Sequence, residues 1–265
     1  MPAPAPTPGL AVVTGASAGI GAELARQLSR AGRPVLAVAR REDRLVALAG
    51  EARLAGTAPI HPLAADVTDG PSAARVADTA RALGGAAWLV NNAGFGMYGS
   101  FEDQDRARLA ELVQLNCEAV VLLSHAFLPQ LRESGDGVLL NVASAAAFQP
   151  TPFMSVYGAS KAFVLSFTEG LAEELRGGGV FVGAYCPGPV ETEFGEVAGA
   201  GERFSWIPQV LSAEEAAREA LGQIARRDVV HVPRPFYKIT SLATRVLPRA
   251  IIRRVSGRAH RRDGK

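Results

Sequence analysis

Short apolar runs alternate with longer amphipathic segments along this chain, and that alternation constrains its fold more than any other feature. Leu10–Val13, Val35–Ala39, Ile60–Ala64, Ala87–Val90, Val138–Val142 and Val180–Cys186 have the apolar continuity of strands buried on both faces. Val229–Val232 reads as a seventh. Between them, Ile20–Ala31, Glu42–Ala55, Ser72–Leu83, Arg106–Arg132, Tyr157–Arg176 and Ala213–Arg226 read as helices. Parallel strands need a long crossover, which a helix supplies. The alternation therefore predicts an α/β chain with a parallel sheet of about seven strands in a three-layer α/β/α arrangement.

The first strand is followed by Thr14-Gly15-Ala16-Ser17-Ala18-Gly19-Ile20-Gly21, which opens the first helix. Glycines permit a tight turn and let a phosphate approach the backbone. A helix N-terminus adds unpaired N–H groups and partial positive charge. In this position the turn points to a doubly wound, Rossmann-like fold that binds a dinucleotide through Gly15, Ser17, Gly19, Ile20 and Gly21. An acidic side chain for the ribose 2′-hydroxyl is expected near the end of the second strand, but Ala39 stands there, followed by Arg40 and Arg41. Guanidinium groups suit a 2′-phosphate, so NADP(H) is the expected cofactor, with NAD(H) possible. Asp66 and Val67 follow the third strand; they can meet an adenine, or Asp66 can cap the next helix. Asn91, Asn92 and Gly94 close the fourth strand, where buried amides need partners and Gly94 admits a cofactor.

Composition narrows the classes further. A chain of 265 residues that is 48% hydrophobic is ample for one domain, expected over residues 9–232 with a loop at 188–211. The net charge of +2 does not suggest a nucleic-acid binder. Residues 1–8 lack the pattern of a signal peptide and read as a disordered lead. No uninterrupted apolar run approaches a membrane span, and two cysteines, Cys117 and Cys186, make no disulfide framework, so the cytoplasm is the expected location. The histidines His61, His125, His231 and His260 are far apart and show no ligand spacing, so no metal is expected. Charge is uneven: 12 of the 28 basic and 2 of the 26 acidic residues fall between Arg226 and Lys265, leaving 16 and 24 before them. The basic tail, 233–265, carries Ile239, Leu242, Val246, Leu247, Ile251 and Ile252. Because Pro248 interrupts a continuous helix, these residues are expected to pack on the body or on a second subunit, with peripheral contact to anionic lipid as the other reading.

Tyr157 and Lys161 lie four residues apart, on one face of a helix. A free phenol titrates near ~10, and a neighbouring cation favours the phenolate. Ser144 ends the fifth strand, 13 residues earlier, and Asn116 lies in the long helix Arg106–Arg132. Taken in order, "TGASAGIG", "NNAG", Asn116, Ser144, "YGASK" and "PGPVET" resemble the classical short-chain dehydrogenase/reductase family over Leu10 to Thr192. The resemblance implies an oxidoreductase interconverting a carbonyl and an alcohol. Tyr157 would be the general acid/base, and Ser144 would orient the carbonyl. Lys161 would bind the nicotinamide ribose and lower the pKa of Tyr157, and Asn116 would hold a water linked to Lys161. Pro187, Gly188, Val190 and Thr192 would line the nicotinamide. A homodimer or homotetramer is implied through the long helices.

Two further expectations concern the substrate and the competing function. Phe95, Met97, Tyr98, Phe148 and Phe153, with Phe194, Phe204, Trp206 and Ile207 of the loop, suit a hydrophobic small-molecule substrate. A cofactor-binding sensor or scaffold that had lost catalysis is the alternative. Such a chain would be free to drop the serine, tyrosine or lysine, and this one keeps all three.

Overall fold

The computed structural model describes residues 9–199 and 209–260. The lead at 1–8, the loop residues Phe204, Trp206 and Ile207, and residues 261–265 lie outside the described residues.

A seven-stranded parallel sheet forms the centre, built from β1 (Leu10–Thr14), β2 (Val35–Ala39), β3 (Ile60–Ala64), β4 (Ala86–Asn91), β5 (Gly137–Val142), β6 (Val180–Tyr185) and a short last strand (Val230–His231). Its spatial order is β3-β2-β1-β4-β5-β6 and then Val230–His231, so the chain reverses direction between β1 and β4. That switch point opens a crevice at the carboxyl ends of the strands. Every residue of β1, β2, β5 and β6 is buried. Edge strand β3 is buried only at Ile60 and tolerates Pro62.

Helices cover both faces. On one, α1 (Gly19–Arg30), α2 (Glu42–Leu54) and the helix Ala213–Arg226 bury Leu24, Leu28, Leu45, Leu48, Ala217 and Ile224 against Ala11, Val13 and Leu140. On the other, α3 (Ser72–Ala82) and the long central helix bury Val76, Leu123, Phe127 and Leu131 against Val12, Leu89 and Leu139. Successive residues of a strand face opposite ways, so β1 serves both layers.

Three expectations need correction. The helix predicted at Arg106–Arg132 runs unbroken over Arg106–Glu133, but as α4 (Arg106–Val113), a π turn (Gln114–Glu118) and α5 (Ala119–Glu133). A π turn inserts one residue and rotates the remainder of the helix about its axis, and such turns recur at functional sites. This helix is long and apolar enough to cross a membrane by length and composition, yet it packs against β4, β5 and α3. The loop 188–211 is less irregular than its sequence suggests. It holds a parallel strand pair, β7 (Val190–Glu191) with β8 (Leu211–Ser212), and a one-turn helix α7 (Phe194–Val197). Ser212 then caps α8 (Ala213–Arg226) through a reciprocal box with Glu215, fixing its start where the sequence predicted.

The third correction concerns the tail. Pro248 does divide it into α9 (Pro235–Val246) and α10 (Arg249–His260), following β9, the Val230–His231 strand. Of the six apolar tail residues singled out, only Ile252 is buried on the body, while Ile239, Leu242, Val246, Leu247 and Ile251 are exposed. Proline ends a helix, but which face then packs depends on where the body lies beneath it.

Candidate active site

The crevice contains a cavity of about 1240 Å³ reaching from the β1–α1 turn to α9 and α10. That exceeds the ~300–1,000 Å³ of an ordinary small-ligand pocket and gives room for a dinucleotide beside a second molecule.

At one end the glycine turn is shaped by real constraints. Gly15 and Gly19 adopt positive φ of 67° and 53°. A Cβ on Gly15 would stand 2.9 Å from the Ala93 backbone, and one on Gly19 would stand 2.9 Å from the Thr192 methyl. Ala18 gives α1 no side-chain cap, and its first turn carries no acid. The helix therefore presents its N-terminal N–H groups and dipole to an anion. Ser17, Ile20, Arg40, Arg41, Asp66 and Val67 also line the cavity. These groups fit a nucleotide diphosphate with a charged ribose end. Gly21 does not line the cavity: a Cβ there would lie 2.5 Å from Asn92 Nδ2, so this glycine serves packing of turn against strand.

The basic pair divides its work. Arg40 lies 3.0 Å from Glu111 and 3.6 Å from Asp66. Arg41 donates from Nε to Ser17 Oγ (3.1 Å) and from Nη1 to Glu193 (2.8 Å). Arg44, one turn along α2, donates to the other oxygen of Glu193 at 2.5 Å. These arginines hold the Glu193 carboxyl below the usual range. Asp66 accepts from Thr68 N and Oγ1, closing a turn ahead of α3, whose N-cap position is Pro71. Helix capping by Asp66 is thereby set aside. Burial works against its charge, but the Thr68 donors and Arg40 prevail and lower its pKa.

Asn91 departs from its expected cofactor role. It is buried and donates to Ser124 Oγ and Asn141 Oδ1, whose own amide donates to Thr168. It ties β4 to β5 and does not line the cavity, because alternation along the strand turns it under the sheet. Asn92 lines the cavity and donates to Thr14 O, locking the fourth strand to the glycine turn.

Ser144, Tyr157 and Lys161 converge on the cavity wall. Ser144 follows β5, and its hydroxyl donates to Pro187 O at 3.5 Å. It also receives Ala146 N at 3.1 Å. Tyr157 and Lys161 sit in the first two turns of α6 (Ser155–Glu174). Lys161 Nζ donates to Val142 O at 2.8 Å and stands 5.9 Å from the Tyr157 ring centre. The structure reverses the expected tuning of the phenol. Burial pushes Tyr157 up to about 12, the Ser144 hydroxyl opposing it, and burial pushes Lys161 down to about 8. Desolvation of the charged form is the largest cause of both shifts.

Asn116, in the π turn, is fully buried and outside the cavity lining. Its amide donates to Phe95 O and Ser160 Oγ, and its Oδ1 accepts from Phe95 N. It thus braces the loop after β4 against the helix that carries Lys161. Gly94 lies between them: a Cβ there would be 2.9 Å from Asn116 Oδ1 and 3.4 Å from Lys161 Nζ. Pro187, Gly188, Val190 and Thr192 line the cavity together, and the missing Cβ of Gly188 admits the Tyr237 ring, 2.4 Å from where it would stand.

Further residues complete the site. Phe194 of α7, expected in the pocket from its aromatic loop, packs against Tyr157 with ring centres 5.3 Å apart and planes tilted by 55°. Phe236, Tyr237, Ile251 and Val255 of the tail form the far wall. Arg44 had a signal, since it lies within a helical turn of Arg40 and Arg41. Glu193 had none, because the loop around it has no period.

A glycine turn at a sheet's switch point, with serine, phenol and amine grouped beside it, is the composition of a nicotinamide-dependent oxidoreductase site. The family model described as short chain dehydrogenase matches residues 9–203. A sulfoacetaldehyde reductase from Chromohalobacter salexigens is 38% identical over 197 residues, covering 73% of this chain and 77% of the relative. A short-chain dehydrogenase from Sphingobium yanoikuyae, solved in complex with NADPH, superposes with a TM-score of 0.80 at 34% identity, covering 89% of this chain and 92% of that one. A short-chain dehydrogenase/reductase from Burkholderia phymatum, solved in complex with NAD, gives 0.82 at 27% identity with the same coverage. The chain belongs to the short-chain dehydrogenase/reductase family.

Proposed function

We propose that this protein is an NADPH-dependent reductase that interconverts a carbonyl and a secondary alcohol on a hydrophobic small molecule. The observation that carries the reading is the grouping of Ser144, Tyr157 and Lys161 on one wall of a cavity whose other end is a glycine turn flanked by Arg41. The cofactor, when bound, supplies the hydride. The glycine turn and the α1 N-terminus hold its phosphates, and Arg41 with Ser17 receives the 2′-phosphate. Ser144 donates to the carbonyl oxygen as negative charge gathers there. Tyr157, protonated well above neutral pH, delivers its proton to that oxygen. Lys161 places a cation beside the ribose and the phenol. Phe194, Phe236, Ile251 and Val255 exclude water and favour an apolar substrate body. A carbonyl panel assayed with NADPH and NADH side by side tests the reading. Turnover of lipophilic ketones with NADPH is the expected result. Inertness across the panel despite tight NADPH binding would restore the sensor reading.

The pH dependence follows from Lys161. Its pKa of about 8 leaves it cationic below that value and neutral above it. NADPH affinity should therefore weaken as pH rises from 7 to 9, measured by quenching of protein fluorescence, and Lys161→Met should flatten the profile. Tyr157 keeps its proton throughout that range, so alcohol oxidation, which needs the phenolate, should accelerate with pH.

Assembly and location extend the proposal. Val113, Leu122 and Phe163 are exposed on the central helix and α6, which supports a homodimer or homotetramer through those helices. Solution mass by light scattering decides it, and a monomer would remove the idea. Both cysteines are free, which supports residence in the reducing cytoplasm. Retention of the thiols on isolation from cells is the check.

A further inference from the structure

The tail helices carry an exposed apolar row that the body leaves uncovered. On α9, Phe236, Ile239, Leu242 and Val246 follow one another at helical spacing on one face, and the last three are 65%, 51% and 81% exposed. On α10, Ile251 and Val255 continue the apolar surface at 47% and 60% exposure. The opposite sides are anchored, with Tyr237, Ser241, Ile252 and Ser256 buried. Neither helix contains an acidic residue. Lys238, Arg249, Arg253, Arg254 and Arg258 are all exposed beside the apolar row.

A second observation joins this face to the site. Phe236, Leu247, Ile251 and Val255 line the cavity and are also among the exposed large apolar residues. The rim of the cavity and the apolar face are therefore one surface, so a molecule resting against α9 and α10 is already at the entrance leading to Tyr157.

We propose that α9 and α10 dock this protein on an anionic lipid surface, with the cavity mouth turned toward the bilayer so that a lipid-dissolved carbonyl compound enters without crossing water. An interfacial helix needs apolar side chains at acyl depth and cations at headgroup level, which is the composition of this pair. A second copy of the chain fits less well. A two-fold contact through this face would bring Lys238, Arg249, Arg253 and Arg254 against their own equivalents, with no acid on either helix to pair them. The substrate part of the proposal rests on the reductase reading. The docking part does not, and it is read without turnover, so either can fail alone.

The test is co-sedimentation of the full chain with phosphatidylserine–phosphatidylcholine vesicles and with phosphatidylcholine vesicles, at low and high salt. Binding to the anionic vesicles that falls with salt is expected. The paired substitutions Ile239→Asp with Val246→Asp, and separately Arg253→Gln with Arg254→Gln, should each lower it by about tenfold or more. None of these four residues lines the cavity, so turnover of a water-soluble carbonyl compound should persist in both variants and report an intact fold. No pelleting with anionic vesicles at low salt would overturn the proposal, as would equal pelleting of wild type and the Asp variant. Concentration-dependent self-association that the Asp variant abolishes, without vesicle binding, would assign the face to a second copy instead. Binding to an acidic polypeptide such as polyglutamate, but not to vesicles, would assign it to a protein partner.

Discussion

Tyr157→Phe should bind NADPH as the wild type does and lose about 10²–10⁴-fold in turnover, the range that a positioned acid or base contributes. The ring keeps its tilted contact with Phe194 at 5.3 Å and the helix keeps its packing. Only the hydroxyl, whose acidity the Ser144 side chain influences, is removed. NADPH affinity from fluorescence titration, and kcat on whichever ketone the panel identifies, separate binding from chemistry. The loss should fall on kcat and kcat/KM alike, since the hydroxyl's proton is transferred only as the reaction proceeds. Full activity in this variant would show that another group supplies the proton. The raised pKa keeps the phenol protonated at neutral pH, the form that reduction needs, while leaving it a weaker acid than a free tyrosine and its phenolate, the form that oxidation needs, scarce.

Arg41→Ala should weaken NADPH by about 10–100-fold, the worth of charge-assisted hydrogen bonds to a phosphate, and leave NADH nearly unchanged. Arg41 donates from Nε to Ser17 and from Nη1 to Glu193, 152 residues away along the chain. A 2′-phosphate would compete with that carboxylate for the guanidinium. The competition costs little, because exposed ion pairs are weak and Arg41, Arg44 and Glu193 are each about 40% exposed. Glu193→Gln should accordingly tighten NADPH and leave NADH where it was. Arg40→Ala should do less than Arg41→Ala, since Arg40 is shared between Glu111 and Asp66. Equal losses for NADPH and NADH on Arg41→Ala would mean that the guanidinium serves the fold or the common phosphates, and would leave NADP preference without its basis.

Much of this molecule was legible in order along the chain. The apolar runs gave the six long strands nearly to the residue, because burial leaves mostly β-branched and aliphatic residues, interrupted at edge strand β3 by His61 and Pro62 and towards the strand ends by Asn141 and Asn91. The glycine turn was legible because positive φ at Gly15 and Gly19 has few other solutions. The last strand shortened from four residues to Val230–His231, since an edge pairs on one side only. The π turn was invisible: its residues carry the same apolar pattern as the α-helix around it, and only the contacts of Asn116 with Phe95 and Ser160 explain the extra residue.

Local patterning was enough to establish the doubly wound layers and the positions of Ser144, Tyr157 and Lys161 along elements that end at the crevice. Each of these depends on periodicity, which reports how a residue sits relative to its own helix or strand. Long-range packing was needed to show that Asn91 faces Asn141 rather than a cofactor, that Glu193 grips Arg41, that the phenol is pushed up rather than down, and that the tail's apolar side is left bare. Those outcomes depend on which distant groups meet and on how much solvent each meeting excludes, and no spacing within one segment encodes either.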